Sequence, residues 1–169
     1  MKKISIEQTF DHPLSTLLRA REERYKHLDK FPELKNVHVV SESREGHISK
    51  QVRNISLADS MPAVLQTVLP SGANMLVEES EFDDQSNIHT FKVTPGGGLD
   101  NIFAVKGISK YFATGEEKAT RTYDIEIVSK VLFVGAVVES AIGDMYKHQL
   151  DKDKASIENF IRILKEQGS

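Results

Sequence analysis

The sequence predicts an α+β fold in which one antiparallel sheet of about six to seven strands wraps a long C-terminal helix, with two shorter helices near the N-terminal half. Strand-period runs follow one another through most of the chain. Short stretches of turn chemistry separate them, and an amphipathic helical stretch closes the sequence.

Lys3 to Phe10 alternates, with Ile4, Ile6 and Phe10 apolar, and reads as the first strand. From Pro13 onward, Leu14, Leu17, Leu18 and Tyr25 follow helical spacing, and a proline suits a first helical turn. "NVHVVSES" and "HISKQVRNISL", joined by "REG", read as a hairpin. In "SMPAVLQTVLPSG", Met61, Val64, Leu65, Val68 and Leu69 hold helical spacing between Pro62 and Pro70, which bracket a short helix. Strand patterns return in "NMLVEESEF", "IHTFKV", "NIFAVKGISKYF" and "KATRTYDIEIVSKV", separated by "DDQSN", "TPGGGLD" and "TGEE". The closing helix runs from about Leu132 to Gln167. Val134, Val138, Ala141, Ile142, Met145, Ile157, Phe160, Ile161 and Leu164 share its broad apolar face, while charges such as Asp144, Lys147 and Asp153 fall off that face or at its weak centre.

A chain of 169 residues fits one domain spanning 1–169 and buries roughly 70% of its extended-chain surface. A net charge of −3 with interspersed signs argues against nucleic acid as a partner. Without cysteine there are no disulfides, thiolate nucleophiles or thiolate metal sites. "MKKISIEQTF" lacks the apolar core of a secretory signal, and "VLFVGAVV" is far too short to span a bilayer. The expectation is a soluble, cytoplasmic protein needing no cofactor, with a transient contact at a membrane surface left open.

Asp11 and His12 invite a catalytic reading, but no G-x-S-x-G elbow or cysteine supplies a nucleophile. Standing just before Pro13, one of the two is expected to accept or orient at the helix N-terminus. The histidines show no H-E-x-x-H and no paired spacing, so no metal site is expected. Gly96 to Gly98 lack the lysine of a phosphate loop and read as a hairpin loop.

Strand parity is more informative. Arg121, Tyr123, Ile125 and Ile127 share one face; His89, Phe91 and Val93 share another strand's face; Arg53 lies with Ile55 and Leu57. If those faces turn inward, Arg121 reaches the interior or its rim and requires an anion there. The anion is a ligand head-group or a carboxylate of Glu78 or Glu79, unless the side chain extends past the strand into water. Glu78 and Glu79 point to opposite faces and cannot act as a carboxylate pair. Met61 to Leu69 serves either as core packing or as a lid over a lipid.

The element order resembles the helix-grip fold of the START-like superfamily, in which a curved sheet and a long final helix enclose an apolar cavity. Within it, "FDHP" (10–13), "RY" (Arg24, Tyr25), "MPAVLQTVLPSG" and "VEESEFD" are similar to phrases of the PRELI/slowmo lipid carriers, in the same order. That family's Pro-Asn-Pro after the tyrosine is replaced by "KHLD". Uncharacterised bacterial START-like proteins share the same general order. The resemblance implies a non-enzymatic protein that binds, and in the PRELI-like case transfers, a phospholipid or other acyl lipid. Arg24, Arg53 and Arg121 would contact its head-group, with Tyr25, His89, Phe91 and Tyr123 beside them. Val138, Ile142 and Met145 would line the tail, and Met61, Val64, Leu65 and Val68 would form the lid. The superfamily also contains cyclases and hydratases, which here would need an inward His89 or Glu79 with a shifted pKa. A protein-interaction module docking through the lid is the third reading.

Overall fold

The computed structural model describes residues 1–57, 61–70 and 73–168, except for the side chain of Glu33. Seven strands form one antiparallel sheet in the order β1-β7-β6-β5-β4-β3-β2. They are β1 (Lys2–Phe10), β2 (Val37–Glu45), β3 (Ile48–Ser56), β4 (Met75–Asp83), β5 (Ile88–Pro95), β6 (Ala104–Gly115) and β7 (Lys118–Val128). Among the described residues three α-helices complete the architecture: α1 (Leu14–Glu23), α2 (Ala63–Val68) and α3 (Gly135–Gln167). Two 3-10 turns, Arg24–Lys26 and Pro32–Asn36, occupy the stretch between α1 and β2 that carries no periodic signal. This is the predicted order, with the helix-grip arrangement.

Alternation sets the faces. In β1, Ile4, Gln8 and Phe10 are buried while Lys3, Ser5, Glu7 and Thr9 are exposed. The register brings Ile4 opposite Ile125 and Gln8 opposite Arg121, so both strands turn the same parity inward. The β2–β3 hairpin closes through Gly46 at φ +59°, a left-handed conformation that glycine adopts without steric penalty. β2 is the far edge and is exposed along nearly its whole length.

Several boundaries differ from the periodicity. Asn101 to Phe103 form a turn rather than the start of β6; the Ile102 amide donates to the Leu99 carbonyl, and the Lys130 amide to that of Asn101. α3 begins at Gly135 rather than Leu132, because Phe133 takes φ +69° and cannot continue a right-handed helix. The expectation that Asp11 or His12 caps α1 is not met. Pro13 occupies the N-cap position and no side chain caps it; the Thr16 and Leu17 amides donate to the Pro13 carbonyl. His12 instead places Nε2 2.7 Å from Glu158 Oε2, tying the start of α1 to α3. Ser60, Ser71 and Gly72, quoted with the lid segment, lie outside the described residues.

α3 packs on β1 and β7 within the sheet, and against α1 and α2. Two apolar clusters form along it. One joins Ile4, Leu65, Phe91, Val93, Phe103, Ile125, Val138 and Ile142; the other joins Phe10, Leu17, Phe31, Phe82, Ile157 and Phe160. Among the described residues no helix is long and apolar enough to cross a membrane.

Candidate functional site

Between the two apolar clusters the inward face turns polar on strand after strand. β1 places Gln8 between Ile6 and Phe10, and β7 places Arg121 between Ala119 and Tyr123. β6 contributes Ser109, β5 His89, β4 Glu78 and β3 Arg53. α3 answers with Asp153, half-buried between Leu150 and Ile157. The result is a polar belt that runs obliquely across the inner face of the sheet.

At one end of the belt, Asp153 takes two buried cations. Arg121 Nη1 donates to Asp153 Oδ2 at 2.9 Å, and Arg121 Nε donates to Gln8 Oε1 at 2.7 Å. Arg24, in the 3-10 turn after α1, donates through Nη2 to the other carboxylate oxygen. The guanidinium of Arg121 also lies between the rings of Phe10 and Tyr123, with its carbon 5.5 and 5.3 Å from their centres. Burial works against the Asp153 carboxylate, but the charges and hydrogen bonds of Arg24 and Arg121 outweigh it and hold its pKa below the usual carboxylate range. The anion that Arg121 requires is therefore Asp153, not Glu78 or Glu79.

The other end of the belt is less covered. The inner faces of β3 to β5 lie beyond the strands on which α3 packs, and Ile55, Arg53, Glu78 and His89 there are only half-buried. Tyr146 and Met145 of α3 are half-buried too. Tyr25 lies between two guanidiniums, with the carbons of Arg53 and Arg24 at 4.9 and 5.4 Å from its ring centre. Arg53 Nε donates to Gln51 Oε1 at 2.8 Å. His89 stacks loosely between Phe82 and Phe91, and burial, with the charges of Arg21 and Arg53, pushes its pKa down to about 3. It is a neutral imidazole at physiological pH. Burial raises the Glu78 carboxyl despite the opposing charges of Arg53 and Arg21.

The Glu78 shift has a testable sign. A carboxyl whose folded pKa exceeds its unfolded value costs stability once it ionises, so the cost is present above the folded pKa and absent below the ordinary value of 4.5. Glu78→Gln is expected to raise the thermal unfolding midpoint at neutral pH and to leave it unchanged well below that value, as circular dichroism melts at the two pH values would read.

Apolar wall residues surround this space on the other side. Met61, Val64, Leu65 and Val68 of the α2 segment join Phe91, Tyr123, Val138, Ile142 and Met145 in one cluster. Leu65 is fully buried, whereas Met61, Val64 and Val68 are half-buried, so α2 covers this end of the interior with one side chain inserted. Phe91 lies flat against Gly107, where a Cβ would stand 2.1 Å from its ring. An open groove of about 980 Å³ also runs across the outer face of the sheet. Its lysines and carboxylates stand in cross-strand ladders, including Lys3–Glu126 and Lys50–Glu81 at 3.7 Å, which marks it as a solvated face.

The structure thus gathers the apolar candidates and Tyr123 into one wall, and places Arg24, Arg53, Arg121 and His89 along the belt with Tyr25 beside them. Glu79 is exposed in the outer groove; its neighbour Glu78 is the inward carboxylate. Asp153, Gln8, Ser109, Tyr111 and Tyr146 were missed. Parity would have found three of them, since Gln8 alternates in step with Ile4 and Phe10, and Ser109 and Tyr111 with Val105. Among the described residues no group of three or more His, Asp or Glu side chains is placed to hold a metal ion.

Solved structures with this architecture are numerous. Norcoclaurine synthase from Thalictrum flavum matches with a TM-score of 0.66 at 15% identity, covering 95% of this chain and 86% of that one. The Zhui aromatase/cyclase from Streptomyces sp. R1128 matches with a TM-score of 0.63 at 9% identity, covering 95% and 93%. TTHA0849 from Thermus thermophilus matches with a TM-score of 0.60 at 16% identity, covering 96% and 99%. The shared fold is the helix grip. No curated protein matches the sequence significantly. A family model described as "Protein of unknown function (DUF2505)" matches residues 5–161, and the chain belongs to that family.

Proposed function

We propose that the protein binds a hydrophobic ligand, a phospholipid or another acyl lipid, between the sheet and α3. The observation that carries this reading is the unequal treatment of the inner face. The β1–β7 half is sealed by α3, while the β3–β5 half keeps Arg53, Glu78, His89 and Ile55 half-buried opposite Tyr146 and Met145. An apolar wall facing a few convergent polar groups is the usual make-up of a small-molecule site. The tail lies along Phe91, Val138, Ile142 and Met145, with α2 as its lid. Norcoclaurine synthase of the same fold has been solved with dopamine and hydroxybenzaldehyde, which supports a ligand-bearing interior. The PRELI-like phrases favour a phospholipid, and a transient membrane contact would then accompany loading. Delipidated protein is expected to take up a fluorescent acyl probe at one per chain and, if phospholipid is the cargo, to move labelled phospholipid between vesicles. Failure to take up lipid of any class would overturn the reading; uptake without transfer would remove only the carrier role.

A second reading, an enzyme of the cyclase or hydratase kind, is favoured by one observation. An inward carboxyl with a raised pKa, Glu78, lies on the belt and suits proton transfer to or from a bound molecule, while the neutral His89 imidazole offers it a hydrogen bond. Recovery of a co-purified ligand at altered mass after incubation, lost in Glu78→Gln, would support it. Unchanged recovery would count against it.

A further inference from the structure

The charges around Asp153 do not balance. Two guanidiniums, Arg24 at 3% and Arg121 at 1% exposure, share one carboxylate, which among the described residues leaves one buried positive charge in excess. Lys154, whose Nζ lies 5.4 Å from the Phe10 ring centre, adds to the excess rather than reducing it. Both guanidiniums also keep an unused donor: among the described residues, Arg24 Nε and Arg121 Nη2 are buried without a hydrogen-bond partner, as is Ser109 Oγ. Ser109 stands opposite Tyr123 on the neighbouring strand, diagonal to Arg121 on the same inner face. An unpaired buried cation and orphaned buried donors each carry a penalty that an anionic acceptor removes. The hydroxyls of Tyr111 and Tyr123 neighbour the same guanidinium.

We infer that the interior ligand carries a single negative charge on a carboxylate, and that this end is buried at the Arg24–Asp153–Arg121 triad beside Ser109. The inference rests on the container reading and narrows it. One excess charge is neutralised by a monoanion; a phosphate monoester dianion would leave a buried negative charge in its place, and a phosphodiester, although a monoanion, carries a substituent on either side where a carboxylate presents a free end to the buried donors. A carboxylate offers its acceptor oxygens to Arg121 Nη2 and Ser109 Oγ, and its acyl chain then runs along the apolar wall toward α2. The polar end is innermost, the reverse of a lipid held with its head-group at the mouth. Binding has to part the rings that now cover these donors, Tyr123 foremost.

The test uses the intact, delipidated protein and a series of equal chain length: palmitate, cetyl alcohol and methyl palmitate, competed pairwise in native mass spectrometry. Palmitate is expected to bind at least about tenfold more tightly than either neutral analogue, as hydrogen bonds to a charged group require. Ser109→Ala, a small change on the strand face, is expected to weaken palmitate several-fold and leave cetyl alcohol unaffected. Equal affinity across the series would overturn the carboxylate assignment while leaving the container reading intact. Binding by none of them or by any other lipid would defeat both. Palmitate selectivity unchanged in Ser109→Ala would remove Ser109 from the site.

Discussion

Asp153→Ala is expected to destabilise the fold by about 3–5 kcal/mol, the range seen when one partner of a buried ion pair is removed. The variant leaves Arg24 and Arg121 buried with no carboxylate between them, and it removes the contact that joins α3 to both β7 and the end of α1. Urea denaturation at neutral pH measures the loss. Its pH dependence follows from the depressed pKa. A carboxylate whose folded pKa lies below its unfolded value contributes stability above the unfolded pKa and loses it as pH falls through the folded one. The gap between wild type and variant is therefore expected to close below about pH 4, the ordinary range of an aspartate. Replacing the whole triad, with Arg24→Met and Arg121→Met alongside Asp153→Leu, should cost less than Asp153→Ala alone, because no charge is left unpaired. A triple variant less stable than the single one would show that the triad's hydrogen bonds outweigh its desolvation.

Gly107→Ala is expected to cost about 1–3 kcal/mol and to abolish uptake of acyl lipid, as overpacking of a fitted interior does. The added methyl carbon would stand 2.1 Å from Phe91 Cζ and 2.6 Å from both ring carbons beside it. The backbone of β6 is held in register between β5 and β7, so the ring must yield. It can leave only toward the interior, into the space between His89 and Tyr123. Thermal unfolding reads the first effect and probe uptake the second. A variant that keeps full uptake would mean that Phe91 does not border the ligand.

Much of this arrangement was legible from periodicity, because a two-residue period commits every second side chain to one face. The inward sets Arg121–Tyr123–Ile125, His89–Phe91–Val93 and Arg53–Ile55 follow directly from it. Asp153 was harder to see. It lies on the apolar stripe of α3, four residues before Ile157 and eight after Met145, yet its neighbours Asp151, Lys152 and Lys154 disguise it as part of a solvated run. Which carboxylate meets Arg121 is a tertiary fact, set by how far α3 slides along β1 and β7. The Asp11–His12 pair misled for a local reason. Pro13 itself takes the N-cap position, one residue beyond the pair, so neither Asp11 nor His12 stands where a capping side chain would, and His12 turns to Glu158. The later start of α3 depends on a left-handed Phe133, for which an aromatic residue gives no warning.

On the proposed reading, the interior between β3–β5 and α3 holds one amphiphilic molecule. Native mass spectrometry of the protein purified without detergent tests it most directly. A species heavier than the chain by one acyl-bearing molecule, released on collisional activation, is expected. A spectrum showing only the bare chain, before and after incubation of the delipidated protein with mixed acyl lipids, would contradict it.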